Sequence, residues 1–223
     1  MKSIREQVEY LKGFVTDERR KLLERMLGER TEYVTVVLED LFQSHNQSAV
    51  MRTADCMGIQ HLHVIENRNR YDAHSSVSRG AQEWLTLHRY NRTDDNTPEA
   101  IGKLRAAGYR IVATTPHTED VGIDELDLQK GKVAFFFGTE WLGLSETVMK
   151  EADEFVKVPM YGFTESLNVS VCAALVLYST VRRLRTSGIA WHLPEEEALR
   201  VALQWYKKSV RSSSEILERF NRE

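Results

Sequence analysis

Apolar positions along the chain follow two different periods, and these predict alternating strands and helices. Short apolar runs rich in β-branched or aromatic residues are typical of buried strands, whereas apolar positions three or four residues apart favour helices. The predicted strands are 33–38, 61–65, 109–113, 132–137 and 154–158. The predicted helices are 1–28, divided in two near Gly13 and Thr16, and 46–57, 98–107, 167–187 and 194–210.

Strands that alternate with helices indicate an α/β fold with a mainly parallel sheet, covered by helices on both faces. The near-continuous apolar runs 34–38 and 133–137 fit central strands of such a sheet. Helical segments at both ends, 1–30 and 188–223, then flank a central domain at 31–187. Gly108 directly after the helix 98–107 is a typical stop signal.

The composition limits the class of protein. Hydrophobic residues make up 42% of the 223 residues, which is enough for a core, and the longest clear apolar run, 171–178, is far too short to span a membrane. No apolar signal region follows Met1, and Cys56 and Cys172 are the only cysteines, so we expect a cytoplasmic protein without disulfides. The scattered histidines predict no metal site, even though His61 and His63 share one strand face.

Charge is distributed unevenly along the chain. The formal net charge is −3, but residues 1–30 and 182–223 are basic and the part between them is acidic. Basic helical ends could contact a polyanion. The alternative is that these charges only solvate helix faces, and charge by itself favours that alternative.

Common nucleotide-binding and hydrolase motifs are missing. The sequence contains neither G-x-G-x-x-G nor a Walker A motif, and the spacing from Gly138 to Gly143 lacks a lysine. G-x-S-x-G is also absent, and Ser166 has no histidine close in sequence, which argues against a hydrolase triad.

Several polar residues stand at predicted junctions between strands and helices, where ligands bind in open α/β sheets. Arg52 lies inside an apolar helix and needs a partner, either a carboxylate such as Glu140 or Asp55 or an anionic ligand. Asn46 and Asn168 stand where helix N-caps belong, so plain capping is an alternative to a functional role. Glu140 could equally be a surface acid, and Trp141 and Trp191 are interpreted as packing residues.

Three ordered motifs carry a specific resemblance to a known family. The first is Asn46-x5-Arg52, the second is F-F-G-T-E-x-x-G-L-S at 136–145, and the third is V-P-M at 158–160 followed by S-L-N-V-S-V at 166–171. In this order and spacing they closely resemble the motifs of the SpoU (TrmH-type) family of RNA ribose 2′-O-methyltransferases. The resemblance covers about residues 31–187.

The resemblance implies a deep trefoil knot over approximately residues 133–178, whose loops bind S-adenosylmethionine. The cofactor contacts it implies are Thr114, Thr115, Gly138, Glu140, Val158, Met160 and Leu167. Members of the family are homodimers with the active site near the dimer interface. Asn46 and Arg52 are therefore expected to serve a cofactor bound by the other subunit.

The resemblance also implies roles for five catalytic residues. Arg52 corresponds to the arginine proposed to activate the ribose hydroxyl, but a guanidinium stays protonated well above neutral pH, so orientation and charge stabilisation are an easier role. Asn46 is expected to position Arg52 or the ribose, and Glu140 to orient Arg52. Ser166 and Asn168 are expected to shape the pocket.

The basic helical ends, and the segment Ser78-Arg79-Gly80-Ala81, resemble the branch of the family that modifies guanosine 18 in the D-loop of tRNA. The residues expected to bind tRNA phosphates are Arg19, Arg20, Lys21, Arg182, Arg183, Arg185, Lys207, Lys208 and Arg211. Two alternatives stay open: methylation of ribosomal RNA, and a catalytically idle RNA-binding protein. The presence of all five polar site residues argues against the second.

Overall fold

The protein is described by a computed structural model that covers residues 2–71, 78–116, 121–139 and 141–222. The strands are β1 Val34–Glu39, β2 His61–Ile65, β3 Thr86–Tyr90, β4 Arg110–Thr114, β5 Val121–Gly122, β6 Val133–Phe137 and β7 Glu154–Lys157. The helices are α1 Ile4–Lys12, α2 Asp17–Gly28, α3 Ser44–Cys56, α4 Thr97–Ala106, α5 Glu146–Glu151, α6 Val169–Thr186, α7 Glu195–Ser209 and α8 Ser213–Arg222.

The chain divides into two compact units. The sheet unit is Glu32–Trp191, and the terminal unit combines Met1–Thr31 with His192–Glu223. In the terminal unit, Leu11, Trp205 and Tyr206 are buried, and the guanidinium of Arg30 lies 5.1 Å from the centre of the Trp205 ring. A capping box between Ser3 and Glu6 starts α1, which satisfies backbone donors that a helix N-terminus would leave free.

All strand pairs of the sheet unit are parallel among the described residues, in the order β3-β2-β1-β6-β4-β7-β5. The fully buried strands β1 and β6 are neighbours near the middle of the sheet, which confirms the predicted parallel α/β fold and its central strands. Successive side chains point to opposite faces, so Phe135 and Phe137 enter one core and Phe136 enters the other.

The two cores bury the helices on opposite faces of the sheet. One contains Met51 of α3 and Leu177 of α6, and the other contains Leu104 of α4 and Val148 of α5. No helix in the described part of the chain combines the length and hydrophobicity that crossing a bilayer demands. Nor do the described residues include three or more His, Cys, Asp or Glu side chains arranged to hold a metal ion.

Several elements escaped the sequence prediction because their apolar pattern is weak or short. β3 reads T-L-H-R-Y and is mostly half-exposed, β5 has two residues, and α5 has six. The terminal helix α8 was also missed. The predicted break near Gly13 is confirmed. Gly108, two residues after the end of α4, has a φ of +82°, the left-handed conformation that glycine favours and that terminates helices.

Neutral histidines are packed against each other on β2 and β3. The rings of His63 and His88 are stacked with centroids 4.4 Å apart, and His63 Nδ1 lies 3.0 Å from the Tyr90 hydroxyl oxygen. Burial, with the neighbouring His88 and His61, lowers the pKa of His63 to about 2. Burial, with His61 and Lys103, lowers the pKa of His88 to about 4. Both rings therefore stay uncharged at pH values where an unfolded chain protonates them.

This difference predicts a loss of stability in mild acid. Since the folded pKa of His63 lies below its unfolded value of about 6.5, each pH unit below that value costs about 1.4 kcal/mol of unfolding free energy. The substitution His63→Phe removes this titration and should roughly halve the fall in stability that this pair causes between about pH 6.5 and pH 5, since His88 keeps its own contribution; urea unfolding measures the effect. The exposed His45, changed to Gln, is the control and should keep the wild-type slope. An unchanged slope in His63→Phe would contradict the assignment.

Candidate active site

The carboxyl ends of the parallel strands β4, β6 and β7 meet at one edge of the sheet and carry a pocket. The Thr114 hydroxyl, at the end of β4, donates to the Phe136 carbonyl at 2.8 Å. The next backbone N–H, that of Thr115, donates to the Val156 carbonyl at 3.0 Å. These bonds hold both threonines at the edge where α/β sheets bind ligands.

A tight glycine contact shapes one wall of the pocket. A Cβ atom on Gly138 would lie 2.3 Å from the carbonyl carbon and oxygen of Gly143, so a side chain at 138 cannot be accommodated without displacing backbone. Thr139 and Gly143 exchange two backbone hydrogen bonds of 3.0 Å. Gly143 has a φ of +67°, which glycine adopts without strain. The Gly143 backbone is therefore packed directly against Gly138 at the end of β6.

The pocket has a volume of about 520 Å³ and brings together residues that lie far apart in sequence. The predicted cofactor contacts that line it are Thr114, Thr115, Gly138, Val158, Met160 and Leu167. Ser166 and Asn168, which were predicted to shape the pocket, line it too. Glu140, predicted both as a catalytic residue and as a cofactor contact, lies outside the described residues.

Asn168 has two simultaneous roles. Its Oδ1 atom accepts from the Ser170 N–H at 2.9 Å, which confirms the prediction that it is the N-cap of α6. Its Nδ2 atom donates to Asn46 Oδ1 at 3.2 Å. A side chain that merely caps a helix has no need of the second bond, which joins the start of α6 to the start of α3.

The prediction that Asn46 caps α3 is wrong. The helix begins at Ser44, after Gln43 in an extended conformation, so Asn46 lies within the first turn. It is 3% exposed, and its amide also donates to Gln43 Oε1 at 3.1 Å. Asn46 is thus a buried amide whose carbonyl oxygen meets the pocket residue Asn168.

Arg52 lies on the exposed side of α3, so the interpretation that apolar residues of the helix enclose it is wrong. An anionic ligand as its partner stays a prediction. Met51 and Ala54 lie on the same buried face of the helix, whereas Arg52, between them in sequence, is turned about 100° away from Met51. The structure records no ion pair between Arg52 and any other described residue. Arg52 is also not among the described residues that line the pocket within this one chain.

Two further pocket residues were not assigned there from the sequence. Trp141 is 96% exposed at the pocket, so its interpretation as a packing residue is wrong, whereas Trp191 does pack against the core beneath Arg185. Cys172 lines the pocket from α6, and burial raises the pKa of its thiol to about 11. Cys172 is the fourth residue of α6, one helical turn after Asn168, and this spacing could have predicted its position at the pocket.

A buried carboxylate behind the pocket also escaped the sequence reading. Glu39, at the end of β1, is 3% exposed and accepts hydrogen bonds from the Ser145 N–H and hydroxyl at 2.8 and 2.7 Å. It also accepts from the Thr97 hydroxyl at 2.7 Å. Ser145 is the N-cap of α5, so this carboxylate connects the loop after β6 to β1 and to the start of α4.

The basic residues predicted to bind RNA differ in their contacts within the protein and in their exposure. Arg183 donates to the carbonyls of Ile123 and Leu126 at 2.8 and 2.5 Å, and Arg185 covers the Trp191 ring. Arg20 pairs with Asp17 at 3.0 Å, and Arg19 donates to the Ser209 hydroxyl at 3.3 Å. The exposed members of the set are Lys21, Arg182, Lys207, Lys208 and Arg211.

Residues 33–178 match the model of the SpoU rRNA Methylase family, and the chain belongs to this family. Among curated relatives, the tRNA (guanosine(18)-2′-O)-methyltransferase of Borreliella burgdorferi is 42% identical over 202 residues, or 91% of this chain and 90% of that protein. The enzyme of the same name from Thermus thermophilus is 32% identical and covers 86% of this chain and 98% of its own length.

Solved structures agree in fold. The A. aeolicus TrmH/SpoU tRNA modifying enzyme superposes with a TM-score of 0.77 at 27% identity, over 88% of this chain and 98% of that one. The SpoU methyltransferase AviRb from Streptomyces viridochromogenes, in complex with the cofactor AdoMet, gives a TM-score of 0.61 at 26% identity, over 74% of this chain and 65% of that one.

The glycine contact predicts a sharp difference between two alanine substitutions. Gly138→Ala should lower the free energy of unfolding by about 2 kcal/mol or more, because its methyl group overlaps the Gly143 backbone. The control Gly102→Ala, on α4, meets no atom within 4 Å and should leave stability unchanged or raise it by about 0.5–1 kcal/mol. Urea unfolding of both variants measures the effect, and equal midpoints would contradict the close contact.

Proposed function

We propose that the chain is an S-adenosylmethionine-dependent enzyme that methylates the ribose 2′-hydroxyl of guanosine 18 in the D-loop of tRNA. The observation that carries this proposal is the pocket, in which the second and third sequence motifs converge and Asn168 reaches Asn46 of the first. The substrate is supported by relatives named tRNA (guanosine(18)-2′-O)-methyltransferase at 42% and 32% identity.

The pocket fits S-adenosylmethionine in size and chemistry. Its volume of about 520 Å³ suits a nucleoside-sized ligand, and its described lining mixes apolar side chains with threonine hydroxyls and loop backbone. Thr114, Thr115 and Gly138 would hold the ligand from the strand ends, and Val158, Met160 and Leu167 from the facing segment. A related structure contains AdoMet. When bound, this cofactor supplies an electrophilic methyl group.

The transfer would form a bond between the ribose oxygen and the methyl carbon, break the sulfur–methyl bond and release the hydroxyl proton to solvent. Since a neutral hydroxyl is a weak nucleophile, the chain's own residues must orient the ribose and stabilise the oxygen as its proton leaves. Arg52 is proposed to bind the ribose and adjacent phosphate as a permanent cation, because a guanidinium cannot serve as an ordinary base at neutral pH. Asn46 would position the substrate through its bond to Asn168. Glu140 would orient Arg52, and Ser166 would complete the pocket wall.

We further propose that the active form is a homodimer in which one subunit supplies Arg52 to the pocket of the other. Two observations support this arrangement. Arg52 is exposed and absent from the described lining of its own chain's pocket. In addition, α6 exposes Val171, Leu175 and Tyr178 at helical spacing, an apolar face that a second copy of the chain would cover.

The deep trefoil knot over approximately 133–178 is also part of the proposal. Its support is the closeness of two segments that are distant in sequence: the loop after β6 and the segment 158–168 line the same pocket. The terminal unit, with its exposed lysines and arginines, is proposed to bind tRNA phosphates. Free Cys56 and Cys172 are consistent with work in the reducing cytoplasm.

The direct test is transfer of labelled methyl from S-adenosylmethionine to unmodified tRNA, followed by mapping of the modified nucleoside. We expect 2′-O-methylguanosine at position 18. Transfer to ribosomal RNA alone would keep the enzyme class and replace the substrate. Absence of transfer to either RNA would overturn the proposal. If S-adenosylmethionine then also failed to raise the melting temperature, the remaining interpretation would be a knotted RNA-binding protein without catalytic activity.

The substitution Arg52→Lys tests the geometry of the catalytic cation. Lysine keeps the charge but lacks the planar, forked donor set, so we expect kcat to fall by about 100-fold or more. Binding of S-adenosylmethionine, followed by calorimetry, should stay at the wild-type level. Substantial turnover in Arg52→Lys would show that a point charge is sufficient and that the guanidinium geometry is not essential.

A further inference from the structure

A short loop at the same edge of the sheet is fixed by two acidic residues. We name residues 66–71, which follow β2, the arginine loop. The Asp40 carboxylate oxygen Oδ1 accepts from three consecutive backbone N–H groups, those of Asn67, Arg68 and Asn69, at 3.2, 2.8 and 2.7 Å. Asp40 holds this position with a φ of +57°, a conformation that aspartate tolerates better than most residues.

Glu66 fixes the other end of the arginine loop. Its carboxylate accepts from the Tyr71 N–H at 2.9 Å and from Arg89 Nε and Nη2 at 2.8 and 2.9 Å. Burial alone would raise the pKa of Glu66, but the hydrogen bonds from Arg89 and Tyr71 outweigh it and hold the pKa below its ordinary value. The Glu66 carboxylate is therefore ionised, and both carboxylates accept hydrogen bonds from the protein itself.

The basic residues of the arginine loop are arranged in the opposite way. Arg68 and Arg70 alternate along it, and both side chains are exposed. Neither guanidinium forms an ion pair or hydrogen bond with another residue in the described part of the chain. Asp40 and Glu66 bond instead to backbone N–H groups and to Arg89, so neither forms an ion pair with Arg68 or Arg70.

The arginine loop contacts α3, the helix that carries the proposed catalytic residue. The Tyr71 hydroxyl donates to the sulfur of Met51 at 3.5 Å, and Met51 is the neighbour of Arg52 on α3. At its other end, the Asn67 amide donates to the Thr97 hydroxyl at 3.0 Å, and that hydroxyl donates to Glu39. The same Glu39 carboxylate accepts from Ser145 at the end of the loop after β6, which lines the pocket.

We propose that Arg68 and Arg70 bind backbone phosphates of the substrate RNA next to the nucleotide that Arg52 engages. This inference rests on the proposed function and adds a phosphate-binding element in the sheet unit, separate from the terminal helices. Guanidinium groups match phosphate oxygens with paired donors, and a loop that is already ordered loses little entropy on binding. RNA phosphates are the partner because the two charges lie at the substrate edge and no described residue forms an ion pair with them.

The test compares Arg68→Gln, Arg70→Gln and the double variant with the wild-type protein. In filter binding to tRNA, each substitution should reduce the slope of log K against log salt by about 0.7–0.9, the value for one lost phosphate contact. In methyl transfer, KM for tRNA should rise by about three- to tenfold per substitution, while kcat and S-adenosylmethionine affinity stay unchanged. Lys150→Gln removes an exposed charge near the end of α5, at the opposite edge of the sheet, and is the matched control.

A second variant tests whether the fixed shape of the arginine loop matters. Asp40→Gly accepts the positive φ but removes all three carboxylate bonds to the loop backbone. We expect a raised KM for tRNA with both arginines intact, and a salt slope close to wild type. Arg68→Lys with Arg70→Lys should restore most of the salt slope.

The outcomes separate this inference from the proposed function. A double glutamine variant with wild-type KM and salt slope, in a protein that methylates tRNA, would overturn only the role of the arginine loop. If the wild-type protein transfers no methyl group but the variants still lose tRNA affinity and salt slope, the arginine loop stands and the catalytic proposal falls. A wild-type protein that does not bind RNA would overturn both.

Discussion

The buried carboxylate of Glu39 is the constraint on which the edge of the sheet depends. In a parallel sheet the strands that run in one direction end at the same edge, but the hydrogen bonds of the sheet do not fix the conformation of the loops that follow them. Glu39 accepts three hydrogen bonds that fix the N-cap of α5 and the start of α4 relative to β1. Loss of an acceptor that serves several buried donors is costly, because each donor is left without a hydrogen-bond partner from water or protein. The pocket loop and the arginine loop thus share one support.

Much of the fold could be predicted because burial leaves a direct trace in the sequence. The sequences of β1 and β6 are apolar at every position except Thr35 and the final Glu39. Only a strand that is covered on both faces requires such a near-continuous apolar run. β3 left no such trace, since it lies at the end of the sheet with one polar, half-exposed face. The order of the strands depends on long-range pairing, which no local pattern encodes.

The candidate site was predicted through motif spacing, and its errors have physical causes. Helical periodicity could not place the start of α3, because Gln43, Ser44 and Asn46 are all polar and only the backbone decides which one precedes the helix. Arg52 was expected to be enclosed because Met51 and Ala54 flank it, whereas the helix turns it to the exposed side. Net charge gave no sign of the arginine loop, because a count treats Asp40 and Glu66 as equal to Arg68 and Arg70. In the structure the two acids bond to groups of the protein, whereas the two arginine side chains are exposed.

The burial of Cys172 has a chemical consequence for a protein that handles a methyl donor. A thiolate is a far stronger nucleophile than a ribose hydroxyl, so an ionised cysteine in this pocket would capture the methyl group itself. With a pKa raised to about 11, only about one thiol in ten thousand is ionised at neutral pH. The apolar surroundings that α6 provides therefore protect the enzyme against self-alkylation, and the thiol can pack in the pocket as an inert side chain.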